Sequence, residues 1–519
     1  MLTGRTIPAV VLVVGLISGA GLGAAAAEDS PSTQELLEKM KTMEQRIQTL
    51  ERQLEQRNAS PATPAGATAT PAGPATAATP PAAGSGAAPA TPGAPAAQAM
   101  VQTAPTAAPA GPNKDLFGLF PSPVSGLRLG AYGELKFGSR QNPDHNGQWQ
   151  SGFDAARLVL LPTFQFTDDI IFNAEIEFEH AGSGFDEDDK LHGTAEIEQL
   201  YIDFKVSPYF NVRSPGIDLV PIGYINQHHE PTLFYSVNRP ELADRLVPTT
   251  WAVPAAGFYG KIVDDLSYQF QVSSSLEDFG SGFDARSDSN SPSPFPAGYA
   301  PGISGKDGLI FARPPRGDFR QLSNDLGYAF RLNYTPSFVP GLAGSSSVYF
   351  TPNTTPRDAY SDTGLPLRHS SLTMVDSELR YRMPGTGFEA RGEYVQVFFG
   401  RPSSLRANND TDPTNNVGRT MYGLSGEVAY HFPIGTYLGS AWQAVPFYRY
   451  TYEDLQTKGF SGSDLNTPTG AGKLQFHTAG LAVFPTPQLV LKLTYEKVLS
   501  HEHGGPKSDS VLGGVGFHF

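Results

Sequence analysis

The chain ends on Val511-Leu-Gly-Gly-Val-Gly-Phe-His-Phe519, and shortly before it runs Ala479-Gly-Leu-Ala-Val-Phe-Pro-Thr-Pro-Gln-Leu-Val-Leu-Lys-Leu-Thr-Tyr495. In the last run Val511, Gly513, Val515, Phe517 and Phe519 fall on one face, and Leu512, Gly514, Gly516 and His518 on the other. Upstream, Leu481, Val483, Leu489, Leu491, Leu493 and Tyr495 alternate with small or polar residues, among them Thr478, Gly480, Lys492, Thr494 and Glu496. Side chains of a strand point alternately to its two faces, so residues 474–519 read as three strands joined by one short turn and one longer loop. An apolar face ending in aromatic residues is what a lipid-facing barrel strand requires. A terminal phenylalanine fits the closing strand of a bacterial outer-membrane barrel, where the barrel assembly machinery reads the last residue. A soluble sandwich would rarely stop on an exposed aromatic.

Composition agrees. The 519 residues include no cysteine, 55 glycines, 45 prolines and a formal net charge of −14. Without cysteine there are no disulfides, thiolate metal sites or cysteine nucleophiles. The acidic balance argues against a nucleic-acid partner. No apolar run long enough for a membrane-spanning helix follows the N-terminus, so membrane insertion would have to be by strands.

The first part of the chain has three sections. Residues 1–27 read as a secretory signal, with Arg5, an apolar centre from Val10 to Ile17, and Ala25-Ala26-Ala27 before the cleavage point. Residues 28–57 read as a periplasmic coiled-coil helix. Ser32 and Glu35 form a capping box. Met40, Ile47 and Leu54 occupy a positions, and Leu36, Met43 and Leu50 occupy d positions. Parallel pairing sets Lys39 against Glu44 and Arg46 against Glu51. A single amphipathic helix lying on another surface is the alternative, and the seam does not decide dimer against trimer. Residues 58–113 are almost all Ala, Pro, Thr and Gly, a composition that cannot bury a core. Fully extended at about 3.1 Å per residue, this linker would reach on the order of 170 Å.

Residues 114–519 are expected to form the barrel. Leu127, Leu129, Ala131, Leu135 and Phe137 alternate with Arg128, Tyr132, Glu134 and Lys136. Leu158, Leu160, Phe164 and Phe166 oppose Arg157, Thr163 and Gln165, and Phe172, Ala174, Ile176 and Phe178 oppose Asn173, Glu175, Glu177 and Glu179. Continued to the end, the pattern predicts about 16 antiparallel strands. Connections alternate between tight (167–169, 263–265, 383–386, 485–487) and long (181–194, 275–325, 399–419). Short periplasmic turns and long extracellular loops are the rule for such barrels, and they place the N-terminus in the periplasm.

The third long loop, residues 226–254, mixes apolar, aromatic and charged residues and should therefore pack against the barrel lumen. It contains Asn238-Arg239-Pro240 followed by Leu246-Val247-Pro248-Thr249-Thr250-Trp251. With the 479–495 hairpin and the strand ending at Phe519, these motifs resemble the phosphate-selective porin O and P family of Gram-negative outer membranes, over residues 124–519. The resemblance implies a homotrimer of 16-stranded barrels, each narrowed by an inward-folded third loop that passes small solutes. It also implies lumen basic residues that strip water from an anion. Arg239 and Arg245 lie in the matching loop. Arg157, Arg331, Arg380, Arg382, Arg391 and Arg449 alternate inward on strands, and guanidinium forks suit phosphate or carboxylate. Glu134, Glu175, Glu177, Glu179, Glu378, Glu389, Glu393 and Glu427 share that lumen by the same alternation. This mixture leaves the sign of selectivity open between a phosphate channel and a general or organic-acid channel.

Other chemistries find little support. His228-His229-Glu230 and His501-Glu502-His503 lack the helical spacing of a zinc motif, and adjacent histidines point apart, so no metal and no cofactor is expected. Asp186-Glu187-Asp188-Asp189 reads as a solvated acidic loop, without the glycine and terminal glutamate of a calcium loop. No nucleophile–base set and no phosphate cradle is present, so the chain is not read as an enzyme. The long Ala/Pro linker leaves a second function class, an outer-membrane anchor that tethers the envelope through its stalk.

Overall fold

The computed structural model describes residues 126–142, 147–181, 193–248, 250–276, 302–305, 308–309, 312, 326–355, 368–408, 417–457, 470, 472–501 and 508–519. The signal sequence, coiled coil and linker expected over 1–113 lie outside the described residues, as do Asp186–Asp189 and the Glu502-His503 pair.

The strands run in chain order. The first eight are β1 (Leu127–Asn142), β2 (Gln148–Gln165), β3 (Ile170–Glu179), β4 (Ala195–Ser207), β5 (Phe210–Leu219), β6 (Ala252–Val263), β7 (Leu266–Ser274) and β8 (Leu326–Tyr334). Then come β9 (Leu342–Thr351), β10 (Leu372–Arg382), β11 (Phe388–Phe399), β12 (Thr420–Tyr430) and β13 (Phe432–Tyr437). The last four are β14 (Ser440–Thr457), β15 (Lys473–Thr486), β16 (Leu489–Ser500) and β17 (Ser508–His518). Segments β12 and β13 are one stave interrupted at His431, since both pair with β14. The result is the expected sixteen antiparallel staves.

Each stave pairs with its sequence neighbours, and β1 pairs with both β2 and β17, so the sheet closes. At the seam Tyr132 sits opposite His518, Leu135 opposite Val515 and Arg140 opposite Ser510. Phe519 completes it: its N–H donates to the Ala131 carbonyl at 2.8 Å and its carbonyl accepts from the Ala131 N–H at 3.0 Å. Among the described residues every stave has a partner on both sides, and such closure is what a structure surrounded by lipid requires.

The period-two pattern sorts the two surfaces. Leu135, Phe137, Leu158, Phe178, Phe330, Val348, Leu379, Leu424, Leu491 and Leu493 are exposed on the outside. Glu134, Arg157, Glu175, Glu177, Arg331, Asp376, Glu389, Glu427, Arg449 and Lys492 are buried on the inside. At the short-turn end Phe166, Tyr209, Phe210, Tyr334, Phe338, Phe388, Tyr430, Phe432 and Tyr437 form an exposed aromatic ring. Such a girdle marks a membrane–water interface.

Connections at one end are short, for example 208–209, 264–265, 438–439 and 487–488, and those at the other are long. Toward the long-loop end an apolar cluster fills part of the interior. Met374, Val395, Val397 and Met421 from β10–β12 meet Leu242, Leu246 and Trp251 of the β5–β6 connection, together with Leu276, Ile303, Leu309, Leu405 and Val417 from other long connections.

Candidate functional site

The third long connection occupies residues 220–251. Ala252–Pro254, expected to belong to it, instead begin β6, whose pairing with β5 runs to Leu219–Ala252. Two single-turn helices punctuate the connection, α1 (Tyr224–Gln227) and α2 (Leu242–Arg245). Asn226 organises its start. Its amide donates to the Val220 carbonyl at 2.9 Å, and its side-chain oxygen accepts from the Trp251 N–H at 2.6 Å, tying the two ends together. Trp251 is fully buried, edge-on to Tyr349 at 4.6 Å.

This connection hydrogen-bonds to staves all around the barrel. Arg157 of β2 donates to the His229 carbonyl at 2.5 Å. Gln227 donates to Gln269 of β7 at 3.1 Å, and the Tyr224 N–H donates to Glu378 of β10. Arg391 of β11 donates to the Leu233 carbonyl at 3.0 Å, and the Tyr235 hydroxyl donates to Glu389 at 3.0 Å. Lys492 of β16 donates to the Ser236 carbonyl at 2.8 Å, and Thr494 accepts from the Val237 N–H at 3.0 Å. Thr232 lies 2.9 Å from His518 of β17.

The most heavily bonded anchor is Glu241. Its carboxylate accepts from Arg449 Nε and Nη2, both at 2.9 Å, from Thr451 at 2.7 Å and from Thr478 of β15 at 2.9 Å. Two inward-facing glycines make room for the same connection. A Cβ on Gly516 would lie 2.6 Å from Pro231, and one on Gly423 would lie 2.4 Å from Leu242.

The basic residues singled out from the sequence lie as follows. Arg157 pairs with Glu134 at 2.9 Å and approaches Glu177 at 3.8 Å. Arg449 bridges Glu241 and Glu427, each at 2.9 Å. Glu389 gathers Arg380 at 3.0 Å, Arg391 at 2.6 Å and His431 at 3.2 Å, and Glu427 lies 3.6 Å from Arg391. Arg331 donates to Asn333, Ser345 and Ser347 and stands 3.8 Å from Glu378. Arg245 pairs with Glu453 at 2.5 Å. Arg239 donates to Thr250 at 2.7 Å. Arg382 continues the inward row of β10 toward the short turn.

Of the acidic residues, Glu175 accepts from Tyr132 at 2.6 Å and Glu179 from Thr194 at 3.0 Å. Glu378 and Glu393 cluster with the buried Asp376. Pairing of this kind fixes side chains and leaves a wall of alternating sign. Partly exposed within it, Arg380 and Arg391 line a cleft with Tyr224, Glu393 and Glu427. A wider cavity of about 720 Å³ includes Lys136, Arg140, Asp154, Asn238 and Glu496 in its wall.

Sequence reasoning did not single out Glu241, Tyr235, Glu198, Glu453 or Asp376. Strand alternation placed the inward face, but partners more than two hundred residues apart, such as Glu241 and Arg449, share no local pattern.

No family model matches the chain. It is 26% identical over 378 residues to an uncharacterized protein of Aquifex aeolicus (strain VF5), covering 71% of this chain and 75% of that protein. Among solved structures, the outer membrane channel DcaP of Acinetobacter baumannii aligns at a TM-score of 0.46 and 11% identity, covering 76% of this chain and 97% of that one. Salmonella typhi OmpF aligns at 0.45 and 9%, covering 76% and 97%. An anion-selective porin from Comamonas acidovorans aligns at 0.43 and 12%, covering 76% and 99%.

Proposed function

We propose that the chain is a passive outer-membrane channel for small hydrophilic solutes, its lumen narrowed by the 220–251 connection. The observation that carries this reading is the chemistry of the two surfaces. The closed barrel is apolar and aromatic outside and densely charged inside, and the third connection is bonded to opposite walls. An apolar exterior ringed by aromatic residues suits lipid, and a charged interior suits water and ions. The short turns would face the periplasm and the long loops the outside. Trimerisation through the barrel and the N-terminal helix belongs to the same reading.

For the solute, we favour small anions bearing phosphate or carboxylate groups. Arg380 and Arg391 are partly exposed in the cleft beside the connection, and Arg239 donates to a neutral hydroxyl. Planar guanidinium groups with unused donors are suited to transient bidentate contact with such anions. Reversal potentials of the purified protein in planar bilayers under a salt gradient, with phosphate added afterwards, test the reading. Anion preference with block by phosphate supports it. Cation preference without block would assign selectivity to the glutamates. Absence of conductance would overturn the channel reading and favour the envelope anchor.

A further inference from the structure

We propose that Glu175 of β3, Glu198 of β4 and His229 of the 220–251 connection form a binding site for a divalent transition-metal ion of the zinc class. His229 Nε2 lies 3.3 Å from Glu175 Oε1 and 3.5 Å from Glu198 Oε2. One atom from each residue falls within 4.8 Å of the other two. Tetrahedral zinc with bonds of about 2.0–2.2 Å places its ligand atoms roughly 3.3–3.6 Å apart, so both histidine–carboxylate separations match two arms of such a site. All three side chains are almost fully buried, with exposures of 3%, 1% and 3% for Glu175, Glu198 and His229.

The tautomer of His229 points the same way. Its Nδ1 lies 3.1 Å from the Asn226 carbonyl, which can only accept, so Nδ1 carries the hydrogen. That leaves Nε2 directed at two carboxylates, and it makes no hydrogen bond with either. A lone pair facing two anions requires a positive charge between them. An imidazolium N–H shared between the two oxygens, at 3.3 and 3.5 Å, would supply one. A metal ion accepts the lone pair and both oxygens together.

The surroundings resemble the outer shell of a metal centre, in which a ligating histidine donates its other ring N–H to a carbonyl and ligating carboxylates are themselves hydrogen-bonded. Glu175 accepts from the Tyr132 hydroxyl at 2.6 Å and from the Gln199 amide. Glu177 adds a third carboxyl group beside the site, and Arg157 is shared between Glu177 and Glu134. The sequence suggested no metal here because it offers only His228-His229-Glu230 in a row. The ligands converge from two strands and a distant connection instead. Such an ion would clamp the connection to the β3–β4 wall.

Cobalt(II) is the probe. The full-length protein is purified in detergent, stripped with chelator and titrated with cobalt, then with zinc as competitor. One cobalt per chain with intense visible bands of four-coordinate character, displaced by zinc, is the expected result. His229→Gln and Glu198→Gln, each confirmed as folded by heat-modifiable mobility, abolish the bands. Tyr132→Phe, which removes only the hydroxyl on Glu175, weakens binding by roughly tenfold to a hundredfold. Failure of the wild type to bind, or equal binding by the histidine and glutamate variants, overturns the proposal. The first would leave a protonated His229 as the counter-ion of the two carboxylates, and the second would mean an ion held elsewhere. If one variant fails to fold, the other decides. Conductance measured in chelator tests the channel reading separately.

Discussion

Removing the carboxylate of Glu241 is the sharpest test of the third connection as a constriction. That side chain is nearly buried and accepts four hydrogen bonds from β14 and β15, two of them from the buried Arg449. Taking away one member of a buried ion pair typically costs about 3–5 kcal/mol, because the partner keeps its desolvation penalty. Arg449 retains Glu427 at 2.9 Å, so the lower figure, about 3 kcal/mol, is the reasonable expectation for Glu241→Ala. At 1.4 kcal/mol per decade this shifts the docked-to-undocked ratio of the connection by roughly a hundredfold. Arg245–Glu453 and the buried Leu242 and Leu246 should still hold α2 near the wall for part of the time. Single-channel recordings should then show brief excursions to higher conductance that the unmodified protein lacks. Glu241→Gln keeps the shape but loses the charge, and should fall between the two. Unchanged conductance and unchanged heat-modifiable mobility in both variants would refute the argument.

Three further outcomes follow from the same geometry. Gly516→Val places side-chain carbon against Pro231, where a Cβ alone would lie 2.6 Å away, and should cost about 1–3 kcal/mol in denaturant midpoint analysis while raising conductance. Trp251→Ala empties a fully buried position against Tyr349 and should destabilise by about 3–5 kcal/mol, seen as a lower temperature for loss of heat-modifiable mobility. Arg380→Gln removes one cation from Glu389 while leaving Arg391 and His431, so the reversal potential should move toward cation preference. A shift toward anions would contradict the assignment of Arg380 to the permeation path.

The barrel itself was legible in the chain because strand periodicity is local. Leu491, Leu493 and Val511 face outward, and Lys492, Thr494, Gly514 and Gly516 face inward, for the same reason that alternate side chains leave a pleated strand on opposite sides. The alternation of short and long connections, and the closing Phe519, were equally readable. Inward arginines and glutamates could be named one by one, since each depends only on its own strand.

Which of them meet could not be read. That Glu389 collects Arg380, Arg391, His431 and Tyr235 depends on the stagger between neighbouring strands and on a connection that begins more than a hundred residues earlier. The apolar pocket formed by Met374, Val395, Val397 and Met421 departs from the polar-inside rule, because long connections fold over these positions and exclude water. Likewise, Gly423 and Gly516 are inward glycines whose purpose emerges only when Leu242 and Pro231 arrive against them. Local sequence determined the staves, their direction and the sign of each face, because those follow from backbone geometry over a few residues. Only the closed tertiary structure decided the pairing of charges, the anchoring of the third connection and the meeting of Glu175, Glu198 and His229, because those contacts join residues that covalent spacing does not relate.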